Sequence, residues 1–281
     1  MKTLLEVLNL STEFLRQKGI NQPRRQAQDL ISDALGIERM QIYLEHDRPL
    51  SELELELLRH RLQRRIKGEP LAYIHGEVDF HGCRLKVNRD VLIPRQETGI
   101  LVEKIIQQIE REPREGKILW DLCCGSGCIG LAIKRRFPEL SVRLSDHCPK
   151  ALAVAKENGA LNGLDVDYLY GDLWAPFIGQ KAHFIICNPP YVTDQEWADL
   201  EPEVRDYEPS YALIGGPTGL EYYQRLAKDV EKYLYPGGKI WLEIGAGQGE
   251  AVQALFTFRC KEKRVERDWA GQQRFFFLEI E

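Results

Sequence analysis

The residues that decide the fold are 121–130, which read Asp-Leu-Cys-Cys-Gly-Ser-Gly-Cys-Ile-Gly. An apolar segment over 117–122 leads into the glycines, and a helical pattern over 128–136 follows them. Glycines in such a turn allow a tight change of direction and let a ligand approach the backbone. Read strictly, Gly125, Gly127 and Gly130 form a G-x-G-x-x-G motif, which also fits nicotinamide binding or a plain strand-to-helix turn.

The segments around this turn alternate between strand and helix. Helical spacing of apolar residues is found over 97–110, 128–136, 149–158 and 224–234. Strand patterns are found over 117–122, 141–145, 166–170, 183–187, 239–244 and 274–280. Strands that alternate with helices indicate an α/β fold with a parallel, doubly wound sheet.

The first 70 residues show helical patterns only. One helix is predicted from Pro23 to Leu35, ending at Gly36, and another begins after Ser51, which has Glu54 three residues later as in a capping box. Alternation and glycines over 72–93 predict a β-hairpin. We therefore expect a helical domain over 1–72, a β-hairpin linker over 73–96 and an α/β domain over 97–281.

Two acidic residues follow predicted strands. Asp146, 19 residues beyond Gly127, can accept hydrogen bonds from both hydroxyls of a ribose, or can simply cap the helix that begins at Pro149. Asp172, followed by Leu173, can hydrogen-bond an adenine amino group or occupy a turn. Both arrangements suit NAD and S-adenosylmethionine equally.

The segment Asn188-Pro189-Pro190-Tyr191 favours the second of these cofactors. It follows the apolar strand 183–187, so it lies at the carboxyl end of the sheet, where ligands bind in open α/β folds. Two prolines stiffen the chain and lack N–H donors, while their carbonyls and the Asn188 side chain remain as acceptors. Two acceptors can hold the two hydrogens of a planar NH2 group, and Tyr191 offers a flat apolar face. The pattern predicts methylation of a planar nitrogen, although a rigid turn after a strand would use the same residues.

Composition excludes several classes of protein. Hydrophobic residues make up 43% and charged residues 29%, and no apolar run approaches the ~20 residues of a membrane helix. The net charge of −5 argues mildly against phosphate backbones as the main partner. The seven cysteines show no CxxC pair and no His spacing suited to zinc, which predicts a reduced, cytoplasmic protein without a metal site.

Together these motifs resemble those of class I methyltransferases that act on adenine N6, guanine N2 or glutamine N5. Further segments resemble the bacterial peptide chain release factor N5-glutamine methyltransferase family and span nearly the whole chain. They are 68–74, 91–98, 208–209, 212–216 and 219–220.

The resemblance implies a fold and a substrate. It implies a class I methyltransferase sheet with an antiparallel last strand, 274–280, inserted beside 239–244. It implies methylation of the glutamine in a Gly-Gly-Gln loop of release factors, with S-adenosyl-L-homocysteine as the second product. The N-terminal helical domain would help to hold the release factor, and we expect a monomer with no direct contact to nucleic acid or membrane.

The resemblance also implies site residues. The catalytic residues would be Asn188, Pro189, Pro190 and Tyr191. The cofactor-binding residues would be Cys123, Cys124, Gly125, Ser126, Gly127, Asp146, Asp172, Leu173 and Asn188. Among these, Cys123-Cys124 replaces the more usual Gly-Thr, and Leu173 stands where Trp is frequent. Gln96, in the linker, stands where Pro is usual.

Alternatives stay open at the level of sequence. The target could be a glutamine of a ribosomal protein or a base of a nucleic acid, and the chain could be a binding module that keeps the cofactor fold without catalysis. The basic residues Arg59, Arg61, Arg64, Arg65 and Lys67 could form a docking face for an acidic partner or a solvated helix face.

Overall fold

A computed structural model describes residues 2–281 and divides the chain into two compact units. The first unit runs up to Gly76 and includes Pro202–Tyr207. The second unit consists of Glu77–Glu201 and Glu208–Glu281. The assignment of 202–207 to the first unit has no signal in the sequence.

The first unit is helical. Its helices are α1 (Leu4–Gln17), α2 (Pro23–Leu35), α3 (Gln41–Leu44), α4 (Glu52–Ile66), α5 (Leu71–His75) and α10 (Pro202–Arg205). Gly36 ends α2 in the left-handed conformation, and Ser51 and Glu54 form the predicted capping box at the start of α4. Buried leucines and isoleucines of α1, α2 and α4 form one core.

The predicted β-hairpin exists but is shorter than the pattern suggested. Strands β1 (Glu77–Phe80) and β2 (Cys83–Lys86) pair antiparallel. The prediction of strand character for residues 73–75 is wrong, because α5 occupies them and buries Tyr73 and Ile74. Five residues are too few for the helical period to be visible, so the short apolar run looked like a strand.

The second unit contains a sheet of seven strands in the order β10-β11-β9-β6-β3-β4-β5. The strands are β3 (Ile118–Leu122), β4 (Ser141–Asp146), β5 (Asp167–Tyr170), β6 (Ala182–Cys187), β9 (Leu234–Glu243), β10 (Cys260–Arg267) and β11 (Gln273–Ile280). Strands β9, β6, β3, β4 and β5 run parallel, while β11 lies antiparallel between β9 and β10. The predicted antiparallel last strand is therefore confirmed, whereas the edge strand β10 was not predicted.

Helices cover both faces of this sheet. They are α6 (Gln96–Ile109), α7 (Cys128–Arg136), α8 (Pro149–Leu161), α11 (Glu221–Tyr233) and α12 (Gly249–Leu255). Alternate residues of one strand face different cores: Phe275 and Phe277 pack with α6 and α7, whereas Phe276 and Leu278 pack with α11 and α12. Burial on both faces explains why the strands read as continuous apolar runs.

Two short strands follow β6. They are β7 (Val192–Thr193), which leads into helix α9 (Asp194–Asp199), and β8 (Ile214–Gly216), and they pair parallel to each other. Within residues 2–281, none of the helices has the length and apolar character that crossing a membrane requires.

Candidate active site

The glycine turn joins β3 to α7 at the carboxyl end of the sheet. Gly125 and Gly127 both have positive φ, +53° and +80°, and Gly127 precedes the first residue of α7. The third glycine of the motif serves packing: a Cβ on Gly130 would lie 2.1 Å from Cδ2 of Leu144, and its N–H donates to Asp121 at 2.8 Å. The turn thus holds α7 close to the sheet and exposes backbone to the space above it.

Asp146 ends β4 and faces this turn. Its carboxylate accepts hydrogen bonds from the backbone N–H of Gly125 at 2.9 Å and of Cys148 at 2.8 Å. Burial raises the pKa of this carboxyl group, and the two backbone donors oppose that rise. The sequence suggested a ribose contact or a helix cap, and the structure shows the carboxylate bound to the glycine turn itself.

A cleft opens beside the turn, with about 650 Å³ of empty space, part of it open to solvent. Seven of the predicted site residues line it: Cys123, Cys124, Gly125, Ser126, Asp146, Asn188 and Pro190. Its other walls include the linker residues Val91, Leu92 and Arg95, and also Thr98 and Tyr211. Residues from five separate stretches of the chain therefore meet at one cleft.

Hydrogen bonds fix the wall formed by the linker. Glu208, whose side chain is buried, accepts from the backbone of Ile93 at 3.1 Å and forms an ion pair with Arg95. The hydroxyl of Tyr211 donates to the carbonyl of Asp90 at 2.6 Å. These bonds tie residues 90–95 to residues 208–211, so the segments that resemble the family motifs form one rigid wall.

Asn188 and its neighbours follow β6 as predicted. The side-chain Nδ2 of Asn188 lies 3.5 Å from Oγ1 of Thr98, and the hydroxyl of Tyr191 lies 3.4 Å from Oε1 of Glu243. Among residues 2–281, no donor bonds to Oδ1 of Asn188 or to the carbonyl of Pro189. Asn188 lines the cleft, so its Oδ1 is an acceptor at the cleft, and the carbonyl of the adjacent Pro189 is a second acceptor without a donor among these residues.

Some predicted residues do not line the cleft. Leu173 is buried in the core, and Asp172 forms an ion pair with Arg225, so the predicted adenine contact of Asp172 competes with that ion pair. Pro189 is buried beside the cleft, and Tyr191 lines a separate open pocket with Gln248.

Two buried polar residues near the cleft were not predicted from the sequence. Glu243 is buried at the end of β9 and accepts from Thr98 at 2.7 Å. Asn158 of α8 donates to the carbonyl of Ser126 at 2.9 Å and accepts from the backbone N–H of Lys86 at 2.7 Å, which joins the glycine turn to the hairpin. A carboxylate at the end of an apolar strand was the available signal for Glu243.

The seven cysteines are free thiols. Burial raises the pKa of Cys128 to about 12, and it raises the pKa of Cys124 and Cys187 well above the ordinary thiol value. A nucleophilic cysteine requires a lowered pKa, so these three thiols are suited to packing and not to covalent catalysis.

The basic run on α4 is largely neutralised inside the helical unit. Its ion pairs are Arg59 with Glu52, Arg61 with Asp33, Arg64 with Glu69 and Arg65 with Glu203. Arg65 is buried, and Arg61 is mostly buried. This pairing favours a structural use of the arginines over an open docking face for an acidic partner.

The strand order, the glycine turn and the acidic residue at the end of β4 define a class I methyltransferase fold. A methyltransferase from Pyrococcus furiosus has the same fold, with a TM-score of 0.52 at 14% identity over 70% of this chain and 89% of that chain. Residues 96–201 match the model of the methyltransferase small domain, and residues 6–76 match that of the PrmC N-terminal domain.

Similarity of sequence narrows the class to one family. The release factor glutamine methyltransferase of Chlamydia trachomatis is 45% identical over 98% of this chain and 93% of its own length. That of Thermodesulfovibrio yellowstonii is 42% identical over 91% of this chain and 92% of its own length. The chain belongs to the release factor glutamine methyltransferase family.

Proposed function

We propose that this protein transfers a methyl group from S-adenosylmethionine to the side-chain amide nitrogen (N5) of the glutamine in the Gly-Gly-Gln loop of peptide chain release factors. The observation that carries the proposal is Asn188, which lines a cleft built from the cofactor motifs with no donor from the described part of the chain on its Oδ1 and is followed by Pro189, whose carbonyl is also without such a donor. Family membership selects glutamine among planar nitrogens, because the relatives are named for that substrate.

The chemistry of the cleft fits S-adenosylmethionine. Each oxygen of Asp146 accepts one backbone N–H and keeps a second lone pair, which suits the hydroxyls of a ribose. The walls of Val91, Leu92 and Ile129 are apolar and suit an adenine ring. Gly125, Ser126 and Gly127 would hold the remaining part through their backbone. When bound, this cofactor supplies an electrophilic methyl group, and the sulfur keeps the electron pair of the broken bond.

The residues of this chain act by orienting a poor nucleophile. The lone pair of an amide nitrogen is delocalised, so reaction requires that one face of the nitrogen points along the line of attack. Asn188 and the Pro189 carbonyl accept the two amide hydrogens and set that face, while Pro190 and Tyr191 stiffen and support the segment. Orientation of this kind contributes several kcal/mol, and roughly 7–11 in well-aligned intramolecular reactions. The same oxygens stabilise the positive charge that develops on nitrogen, whose proton is lost afterwards.

In this proposal the enzyme acts as a monomer directly on the protein, without nucleic acid. The helical unit would contribute to holding the release factor. Because most arginines of α4 are paired internally, the contact would use other surfaces of that unit, such as the exposed apolar side chains Leu10, Leu53 and Leu57.

The test is transfer of a labelled methyl group to a purified bacterial release factor. A variant of the factor with Gln→Ala in the Gly-Gly-Gln loop, a nucleic-acid sample and a sample of ribosomal proteins serve as controls. We expect label on the intact factor only. Label on the Ala variant or on nucleic acid would move the assignment to another glutamine or to a base, and label on a ribosomal protein alone would make that protein the substrate. Cofactor binding without any transfer would leave a binding module.

A further inference from the structure

A buried carboxylate contacts the segment 188–191, which carries the proposed catalytic residues. Glu243 is 2% exposed at the end of β9, and Thr98 of α6 is also 2% exposed. Oε2 of Glu243 accepts from the hydroxyl of Thr98 at 2.7 Å, and Oε1 accepts from the hydroxyl of Tyr191 at 3.4 Å. A buried carboxylate is stable only with such donors, so these two hydroxyl hydrogens are committed to it.

The hydrogen bond from Thr98 to Glu243 determines the orientation of the Asn188 side-chain amide. A hydroxyl has one hydrogen, and that of Thr98 points to Glu243, so Oγ1 can only accept from its other neighbour. The neighbour is the side chain of Asn188, at 3.5 Å. The amide therefore places Nδ2 toward Thr98 and leaves Oδ1 for the cleft, because the opposite orientation would bring two acceptors together.

We propose that Thr98, anchored by Glu243, is a positioning residue that fixes the side-chain amide of Asn188 with its oxygen available to the substrate. The proposal rests on the proposed function, in which Oδ1 of Asn188 accepts a hydrogen of the glutamine amide. An amide rotated by half a turn would present its own NH2 group to the substrate NH2 group. The resting distance of 3.5 Å is long for a hydrogen bond, and catalytic hydrogen bonds commonly shorten when substrate binds.

The kinetic test compares Thr98→Val, which keeps the shape and removes the hydroxyl, with Thr98→Ser, which keeps the hydroxyl. We expect Thr98→Val to lower kcat by about 10- to 100-fold, since a small misplacement of a reacting group has effects of this size. The Kd of S-adenosylmethionine and the KM of the release factor should stay within about threefold, and Thr98→Ser should restore kcat to within about threefold.

A double variant separates positioning from general stabilisation. Because Thr98 acts through Asn188, Thr98→Val should lower kcat no further when Asn188→Ala is already present. An equal loss in both backgrounds would overturn the proposal, and so would a normal kcat of Thr98→Val with only a lower melting temperature. If Thr98→Val does not fold because Glu243 loses its donor, Thr98→Val with Glu243→Gln removes the unpaired charge and should show the same loss of kcat.

A measurement without substrate distinguishes this proposal from the proposed function. The side-chain amide of Asn188 gives a pair of NMR signals, which Asn188→Ala identifies by their absence. Slow hydrogen exchange of these signals in the wild type and in Thr98→Ser, with fast exchange in Thr98→Val, would support the positioning role. Equal exchange in all three proteins would overturn it. Absence of methyl transfer by the wild-type enzyme would instead sink the proposed function and leave this result intact.

Discussion

The side-chain amide of Asn188 places Nδ2 toward Thr98, and in the proposed function its Oδ1 accepts a hydrogen of the substrate. The glycine turn and Asp146, which would hold the cofactor, do not depend on that side chain. We therefore expect Asn188→Ala to lower kcat at least about 100-fold, in line with the loss of a transition-state hydrogen bond. The Kd of S-adenosylmethionine should change by less than about threefold.

Methyl-transfer kinetics and calorimetric titration of the cofactor give the two numbers. The matched control is Asn21→Ala, which removes an exposed asparagine from the helical unit and should change neither. A collapse of cofactor affinity, with normal turnover of the bound enzyme, would show that Asn188 holds the cofactor rather than the substrate.

Asp121 makes the stability of the protein depend on pH. Burial raises its pKa to about 7 from 3.8, one oxygen accepts from Gly130, and the other has no partner among residues 2–281. The folded state therefore keeps a proton that the unfolded chain releases above about pH 4. The stabilising contribution of this group is full below pH 3.8 and falls as the pH rises toward 7. Above the folded-state pKa of about 7 it is lost, and stability no longer changes with the titration of this group.

Replacement of Asp121 by Asn removes this titration and keeps an acceptor for the Gly130 N–H. The gain in unfolding free energy of Asp121→Asn over wild type should grow between pH 4 and pH 7, by at most roughly 4 kcal/mol, and then level off. Denaturant unfolding at several pH values measures it. A difference that does not change with pH would contradict the raised pKa.

At the scale of elements, β7 and β8 hold the segment 188–191 in place. A glycine of β8 and one that follows the strand lie against the backbone of this segment: a Cβ on Gly215 would lie 2.5 Å from the carbonyl oxygen of Pro190, and one on Gly219 would lie 2.3 Å from that of Tyr191. The side chain of Gln248 donates to that same carbonyl at 3.1 Å. The glycines in the family-like segments 212–216 and 219–220 thus have a physical reason, which is close approach to the segment 188–191.

Two glycine substitutions test this support. Gly219→Ala strains a backbone with φ of +69° and pushes on the segment, whereas Gly247→Ala strains a backbone with φ of +80° where a Cβ meets nothing within 4 Å. Both should destabilise the fold by about 1 kcal/mol from backbone strain alone. Only Gly219→Ala should also lower kcat, by at least about tenfold, because it displaces Tyr191. Equal kinetic effects would show that backbone strain, and not the contact, is responsible.

Most elements of the fold could be predicted because their signals are local. The apolar strands and the helices 23–35 and 128–136 follow from periodicity and caps that a short window of sequence contains. The strand Cys260–Arg267 was missed because it lies at the sheet edge and carries charges along most of its length. A partly exposed edge strand needs no apolar pattern, so the sequence holds little trace of it.

The sequence predicted the site residues that stand in motifs, but it did not predict the buried polar residues that hold them in place. Asn188 and Asp146 stand in recognisable motifs, whereas Glu243 and Asn158 act through contacts with residues 145 and 72 positions away along the chain. The ion pair of Asp172 with Arg225 has the same origin. Such pairings depend on tertiary packing, which no spacing within the sequence reveals.

At the scale of the whole molecule, the chain builds two units with separate cores. Leu8 belongs to the core of the helical unit, while Trp120 and Trp241 belong to the cores of the methyltransferase unit. The helical unit is closed by a second segment of chain, 202–207, in which Glu203 pairs with Arg65 at 2.8 Å. All five tryptophans lie in the methyltransferase unit, so their fluorescence reports on that unit alone.

This distribution gives a test of whether the two units unfold separately. Leu8→Ala empties a fully buried position and should destabilise the helical unit by about 2–5 kcal/mol. We expect an earlier loss of far-UV circular dichroism on heating and an unchanged tryptophan transition. S-Adenosylmethionine at 100 times its Kd should raise the unfolding free energy of the methyltransferase unit by about 2.7 kcal/mol. Only the transition that tryptophan fluorescence follows should then shift. Ile240→Ala, equally buried in β9, is the matched control and should show the opposite pattern. If Leu8→Ala lowers both transitions equally, the two cores unfold as one cooperative unit, and the cofactor would then stabilise the helical unit as well.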